Sequence, residues 1–221
     1  MKVLIVVARR YNGHELWTTL GMLQEAGHEF EVVSTATMIQ DEVTHKRNTI
    51  VRTLDDLRAD EMSHWDGLMV ISGNMKDTES YWRDERVLRL VREMQERPLA
   101  AICCSVPTIR EVARDKRVSF FPLVRSRLLL EEAGAKLSSV SITQDGNLVT
   151  AEHQMSSQVW AQTFIEVLET GTSSLALTDS GFVPKGKTRR RLPARLEQLV
   201  YDETELERLR QLDIERGKIR E

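Results

Sequence analysis

Residues 97–109 read Arg-Pro-Leu-Ala-Ala-Ile-Cys-Cys-Ser-Val-Pro-Thr-Ile, and the way this run changes character reveals the architecture. Leu99 to Ile102 is short and apolar throughout, as expected of a parallel strand covered on both faces. It runs directly into Cys103, which places a thiol at a strand end. Val3–Val7 and Gly67–Ile71 have the same texture, and Phe30–Val33 reads as a further strand. Between them, Leu16, Leu20 and Leu23 mark one helical face that ends at a capping Gly27. Val87, Leu90, Val91 and Met94 mark another helix. Strands alternating with helices in this order predict an α/β fold, a doubly wound, mostly parallel sheet flanked by helices. Ligands of such sheets sit beyond the carboxyl ends of the strands. Residues 9–15, Gly73-Asn74 and Cys103 all fall at such ends.

Further along, Val140 and Ile142 alternate with polar residues up to Asp145-Gly146, and Leu148 and Thr150 resume the alternation. This predicts a β-hairpin with an Asp-Gly type of turn. Trp160, Phe164, Val167 and Leu168 form a closing helix near Gly171. From Thr172 the texture changes to a small polar stretch, a basic one, and leucines at helical spacing (Leu192, Leu196, Leu199; Leu206, Leu209). The expected organisation is therefore one α/β domain over 1–171, with a linker and amphipathic helical extension over 172–221.

The chain has 221 residues, 41% apolar and 29% charged, a globular composition, and its net charge of −3 offers no overall field for nucleic acid or an anionic membrane. No apolar run approaches the ~20 residues of a membrane span, and the N-terminus lacks a signal-type segment, so a cytoplasmic protein is expected. Arg189-Arg190-Arg191 is weak evidence for nucleic acid, since most such runs are solvated. His14, His28, His45, His64 and His153 are scattered, no glycine-rich phosphate loop is present, and no metal or other cofactor is expected. Cys103 and Cys104 are the only cysteines. Adjacent Cα atoms lie too close for a relaxed disulfide, which excludes a disulfide framework.

A cysteine at a strand-to-helix turn can be an activated nucleophile, its pKa lowered by the first turn of the helix. It can equally be a buried small hydrophobe, and spacing alone leaves the two readings level. A carboxylic acid reaching the sulfur from another strand end would favour the first, and Glu15 is positioned for that. Cys104, one residue on, should point away from Cys103 and simply pack. His14 lies obliquely to any sulfur that Glu15 faces, and it reads as solvated or ligand-facing. His153 follows the hairpin. Trp17 and Trp82 each follow a strand end and are candidates to line a pocket.

These residues carry a resemblance. Residues 97–109 resemble the nucleophile elbow of the DJ-1/PfpI family, in the class I glutamine amidotransferase-like superfamily, whose usual form is A-I-C-[HA]-G-P. The strand MKVLIVVA, Glu15-Leu16 and the strand FEVVS are similar to the family's first strand, glutamate-bearing helix and second strand. WDGLMVISGN resembles its D-x-L-x-x-P-G-G turn, and QDGNLVTAEH its closing D-G-N-x-V-T-S-R hairpin. The resemblance covers about residues 1–170. It implies a flavodoxin-like sheet, a homodimer, and a small-molecule substrate. Cys103 takes the place of the reactive cysteine and Glu15 that of the glutamate bonded to it. The backbone N–H groups of Asn74, beside Gly73, and of Cys104 would form an oxyanion hole.

The departures are equally specific. Cys104 stands where one branch carries histidine, and Phe121, before Pro122-Leu123, stands where another does. The acidic residue of the protease-like triad falls near Thr78, beside Asp77 and Glu79. Pro-Gly-Gly has become Ser72-Gly73-Asn74, and the Gly-Pro after the cysteine has become Ser105-Val106. A Cys-His-acid peptidase is therefore not matched. The expectation is a cysteine-dependent enzyme for a small electrophilic, carbonyl-like substrate, working by hydrolysis, hydration or glyoxalase-like rearrangement, with Cys103 as nucleophile and Glu15 as proton shuttle. The alternatives are a thiol redox sensor or stress-response protein without turnover, or a pseudoenzyme serving assembly.

Overall fold

A computed structural model of the protein describes residues 1–45 and 49–173. The extension, including the Arg189–Arg191 run and the leucine-spaced helices, lies outside the described residues apart from Thr172 and Ser173. Seven strands form the main sheet: β1 Lys2–Val7, β2 Glu29–Ser34, β3 Arg52–Thr53, β4 Gly67–Ile71, β5 Leu99–Ile102, β6 Ile142–Asp145 and β7 Leu148–Ala151. They lie in the order β6-β7-β5-β4-β1-β2-β3. Neighbours are parallel except for the β6–β7 pair. The helices are α1 Gly13–Glu25, α2 Met75–Tyr81, α3 Glu85–Glu93, α4 Val124–Glu132 and α5 Ser157–Thr170.

Every residue of β4 and β5 is buried, as the uninterrupted apolar runs require. Along β1, Val3, Ile5 and Val7 face one core with α1 and α5, while Leu4 and Val6 face the other with α3 and α4. That alternation divides the molecule into three layers. The Asn12 side chain caps α1 by accepting from the N–H groups of His14 and Glu15, and Gly27 takes a φ of 77° after its end.

The hairpin turn sits one residue later than Asp145-Gly146. Asp145 pairs with Leu148, leaving Gly146-Asn147 as the loop, and of these two only Gly146 has a positive φ. A single positive φ at the first loop residue is the II′ pattern, which glycine supplies without a steric cost. The segment Cys103–Val112 after β5 is 3₁₀-helical and contains Pro107, where an α-helical first turn was expected. Pro107 has no N–H to give, so the segment lacks one ladder bond at that position.

Strand order reverses around β1 and β4, since β1 continues to β2 on one side and β4 to β5 on the other. The crevice beyond these carboxyl ends is where α/β sheets carry their sites. A short segment, Arg10–Tyr11, pairs with Gln40–Asp41, and Tyr11 bridges Gly73 across that crevice.

Candidate active site

Cys103 leaves β5 with a φ of 57° and is half-buried. Left-handed backbone at a non-glycine residue costs of order 1–3 kcal/mol and persists only where its surroundings over-determine it. Here they do. Ser105 is fully buried, and its Oγ accepts from the Ile102 N–H at 3.1 Å and lies 2.7 Å from both the Val70 and Ile102 carbonyls. The Trp82 indole N–H donates to the Cys104 carbonyl at 2.9 Å. Serine at 105, in place of a glycine, thus ties the elbow to the neighbouring strand, and Trp82 is structural at this site.

Glu15 is fully buried on the first turn of α1. Its carboxyl accepts from the Ser72 N–H at 2.9 Å, and the Ser72 hydroxyl lies 2.8 Å from each of its oxygens. Where a direct bond from Glu15 to the thiol was expected, the glutamate meets Ser72. The same Ser72 hydroxyl favours the charged form of the Cys103 side chain, so it bears on both acid and sulfur. Serine can do this where proline cannot, because proline has neither a hydroxyl nor an N–H.

Burial holds the Glu15 carboxyl well above the ordinary carboxylate range; the Cys103 charge adds to this, and the Ser72 donors oppose it. The Cys103 thiol is pushed up, first by the Cys104 side chain and then by burial, against the Ser72 hydroxyl and the Cys104 N–H. Of the two readings of a strand-end cysteine, this direction runs against the lowered pKa of an activated nucleophile. The helix-start N–H is present, but a second sulfur and a buried surrounding outweigh it.

Cys104 also departs from its expected orientation. Its Sγ lies 3.6 Å from that of Cys103, because the turn at positive φ swings the two side chains toward each other. Cys104 is buried as predicted, but packed against its neighbour.

The Asn74 amide is not free to serve an oxyanion hole. It donates to the Arg10 carbonyl at 2.7 Å, and the Gly73 N–H donates to Thr78 Oγ1 at 3.0 Å. The Asn12 N–H in turn reaches the Ser72 carbonyl at 2.9 Å. Residues 10–12 therefore lie on 72–74 as an antiparallel bridge. Contact is so close that a Cβ on Gly73 would meet the Arg10 carbonyl oxygen at 2.0 Å and Tyr11 Cα at 2.6 Å. Asp77, one candidate acid near Thr78, holds this segment down: Arg10 Nε and Nη2 bond its carboxylate at 2.7 and 3.1 Å. Glu79 pairs with Arg125.

His14 is exposed, consistent with the solvated reading. His153 accepts from the Met155 N–H through Nδ1, and its ring lies 6.0 Å from that of Phe121. The two positions are thus neighbours. Trp17 is half-buried and packs edge-on against Tyr11 at 6.0 Å. The Asn12 amide donates to Gln154 Oε1, joining the loop after β1 to the loop after β7. Among the described residues no group of three or more His, Cys, Asp or Glu is placed to hold a metal ion, and no helix is long and apolar enough to cross a membrane. Ser72, Ser105, Arg10 and Asn12 were not singled out from sequence. The two serines were visible only as departures from Pro-Gly-Gly and Gly-Pro.

The model of the DJ-1/PfpI family matches residues 1–167. A protein named a deglycase from Thermococcus kodakarensis is 27% identical over 172 residues, covering 76% of this chain and 99% of that one. Another named a deglycase, from Pyrococcus furiosus, is 24% identical over 176 residues, covering 76% of this chain and all of that one. Among solved structures, a ThiJ/PfpI domain protein from Brachyspira murdochii superposes with a TM-score of 0.68 at 19% identity, covering 76% of this chain and 96% of that one. DJ-1 of Schizosaccharomyces pombe gives 0.66 at 18% identity, covering 79% and 93%. Identities this low speak to the fold.

Proposed function

The chain belongs to the DJ-1/PfpI family, and on that premise we propose that it is a cysteine-dependent enzyme acting on a small carbonyl electrophile, with Cys103 as nucleophile and Glu15 as proton shuttle. The observation that carries this reading is the half-buried Cys103 at positive φ beside a buried Glu15–Ser72 pair. The deglycase names of two relatives favour an aldehyde-derived substrate.

Burial favours the protonated form of the Glu15 carboxyl, which suits it to give and recover a proton. In the first step the Cys103 sulfur bonds to the carbonyl carbon while the carbonyl π bond breaks toward oxygen. Glu15 gives its proton to that oxygen and recovers the thiol proton, with the Ser72 hydroxyl as the bridge. The product is a neutral hemithioacetal, and Glu15 ends as it began. The Cys104 N–H is the backbone donor left for the developing oxyanion, since the Asn74 amide is held by Arg10. A neutral relay of this kind does not need a lowered thiol pKa.

The test is alkylation of Cys103 by iodoacetamide as a function of pH, read by peptide mass spectrometry, alongside a screen of aldehydes. Cys103→Ser should abolish turnover. Glu15→Gln should cut it by about 10²-fold or more and change the pH profile of alkylation. Turnover that survives Cys103→Ser would exclude the reading.

A further inference from the structure

The two adjacent sulfurs carry an inference that does not depend on carbonyl turnover. They sit 3.6 Å apart, and Cys103 is half-buried while Cys104 is 5% exposed, so one thiol is reachable and the second lies directly behind it. A disulfide is a poor use of this pair. It requires sulfurs at roughly 2.05 Å and Cα atoms at least about 4.4 Å apart, whereas adjacent trans Cα atoms lie at about 3.8 Å. One soft atom bridging both sulfurs has a different requirement. Two bonds of about 2.3 Å at an angle of roughly 90–110°, the range of a pyramidal or tetrahedral centre, hold the sulfurs about 3.3–3.8 Å apart, which brackets the 3.6 Å in place.

We propose that Cys103 and Cys104 form a bidentate dithiol site for a soft, thiophilic centre, and that the ligand class it takes is a trivalent arsenical. Thiolate sulfur prefers such soft centres over oxygen ligands. Binding is an exchange without redox change. A monosubstituted arsenous acid, R–As(OH)₂, loses two As–O bonds and gains two As–S bonds, and each thiol proton leaves with a hydroxide as water. Cys103 reacts first because it is reachable, and Cys104 closes the chelate without a backbone shift. The local structure favours retention. Ser105 and Trp82 fix the backbone on both sides of the pair, so little freedom is lost when the ring closes.

The experiment uses the full-length reduced protein and phenylarsine oxide, with adducts read by intact mass. Wild type should take up one phenylarsenical per chain, keep it in excess 2-mercaptoethanol, and release it to 1,2-ethanedithiol. Cys103→Ser and Cys104→Ser should each weaken retention by about 10²-fold, the loss expected when an intramolecular second bond is removed. Circular dichroism shows whether each variant is folded. A folded Cys104→Ser protein that retains the arsenical as wild type does, or a wild-type adduct stripped by the monothiol, overturns the proposal. Iodoacetamide separates the two readings. Normal labelling of Cys103 without arsenical retention removes the dithiol site and leaves the carbonyl reading standing, whereas arsenical retention with aldehyde turnover that survives Cys103→Ser removes the carbonyl reading and leaves the dithiol site.

Discussion

Two strand ends meet at the candidate site, and they are finished in opposite ways. After β4, Ser72-Gly73-Asn74 has its donors committed: Ser72 N to Glu15, Gly73 N to Thr78 and Asn74 N to the Arg10 carbonyl. After β5, Cys103-Cys104-Ser105 is held by Ser105 and Trp82 while Cys103 is only half-buried. The first end is a closed bridge and the second an open elbow. The turn after β5 is anchored by Ser105 and Trp82, whereas a neighbouring chain segment lies across the turn after β4. The carboxyl between them, Glu15, is hydrogen-bonded to the closed end through Ser72 and meets the open end electrostatically.

The largest effect is expected at Gly73. Gly73→Ala drives a Cβ into the Arg10 carbonyl and Tyr11 Cα, both backbone atoms that cannot give way cheaply. About 3 kcal/mol should be lost in urea unfolding, with Tyr11 and Asn12 leaving the bridge.

Glu15 gives the next effect, through pH. Its folded pKa is raised, so the stability it contributes is fully present below its unfolded value and is lost as pH rises toward and through the folded value. Wild type should therefore lose stability relative to Glu15→Gln as pH rises above about 4.5, by at most about 1.4 kcal/mol per pH unit. Parallel pH–stability curves for the two proteins would show that Glu15 is charged in the fold.

Ser72→Ala removes the hydroxyl that links the two ends while keeping the N–H. A cost of about 1–2 kcal/mol is expected for the buried carboxyl left with one donor fewer. The alkylation profile of Cys103 should move to higher pH, since the Ser72 hydroxyl works to lower both groups. An unmoved profile would mean Ser72 serves the fold alone. The smallest effect belongs to Arg10→Gln. The Arg10–Asp77 pair is partly exposed, so no more than about 1 kcal/mol should be lost, though amide hydrogen exchange at Asn74 should accelerate as the strap loosens.

Most of the fold was legible in the linear pattern. Strands buried on both faces must be continuously apolar, and β1, β4 and β5 are; α1 and α3 show helical spacing because each buries one face. The hairpin was found but its turn was misplaced by one residue, since a Gly shared by Asp-Gly and Gly-Asn permits two registers until cross-strand pairing selects one. The Cys103 and Glu15 positions were legible too, as strand-end chemistry and family motif.

What local sequence could not specify was who touches whom. Cys104 was expected to point away because successive helix residues diverge, but the left-handed turn at Cys103 brings the sulfurs together. Asn74 had the right place for an oxyanion donor and lost it to a carbonyl from residue 10, a partner 64 positions away in the chain. Ser72 looked like an eroded proline and is the residue that holds the buried Glu15 carboxyl. The apolar period is a property of each segment, set by burial of its own side chains, and survives in one dimension. Hydrogen-bond partnership and pKa depend on groups that only the folded crevice brings within 3 or 4 Å.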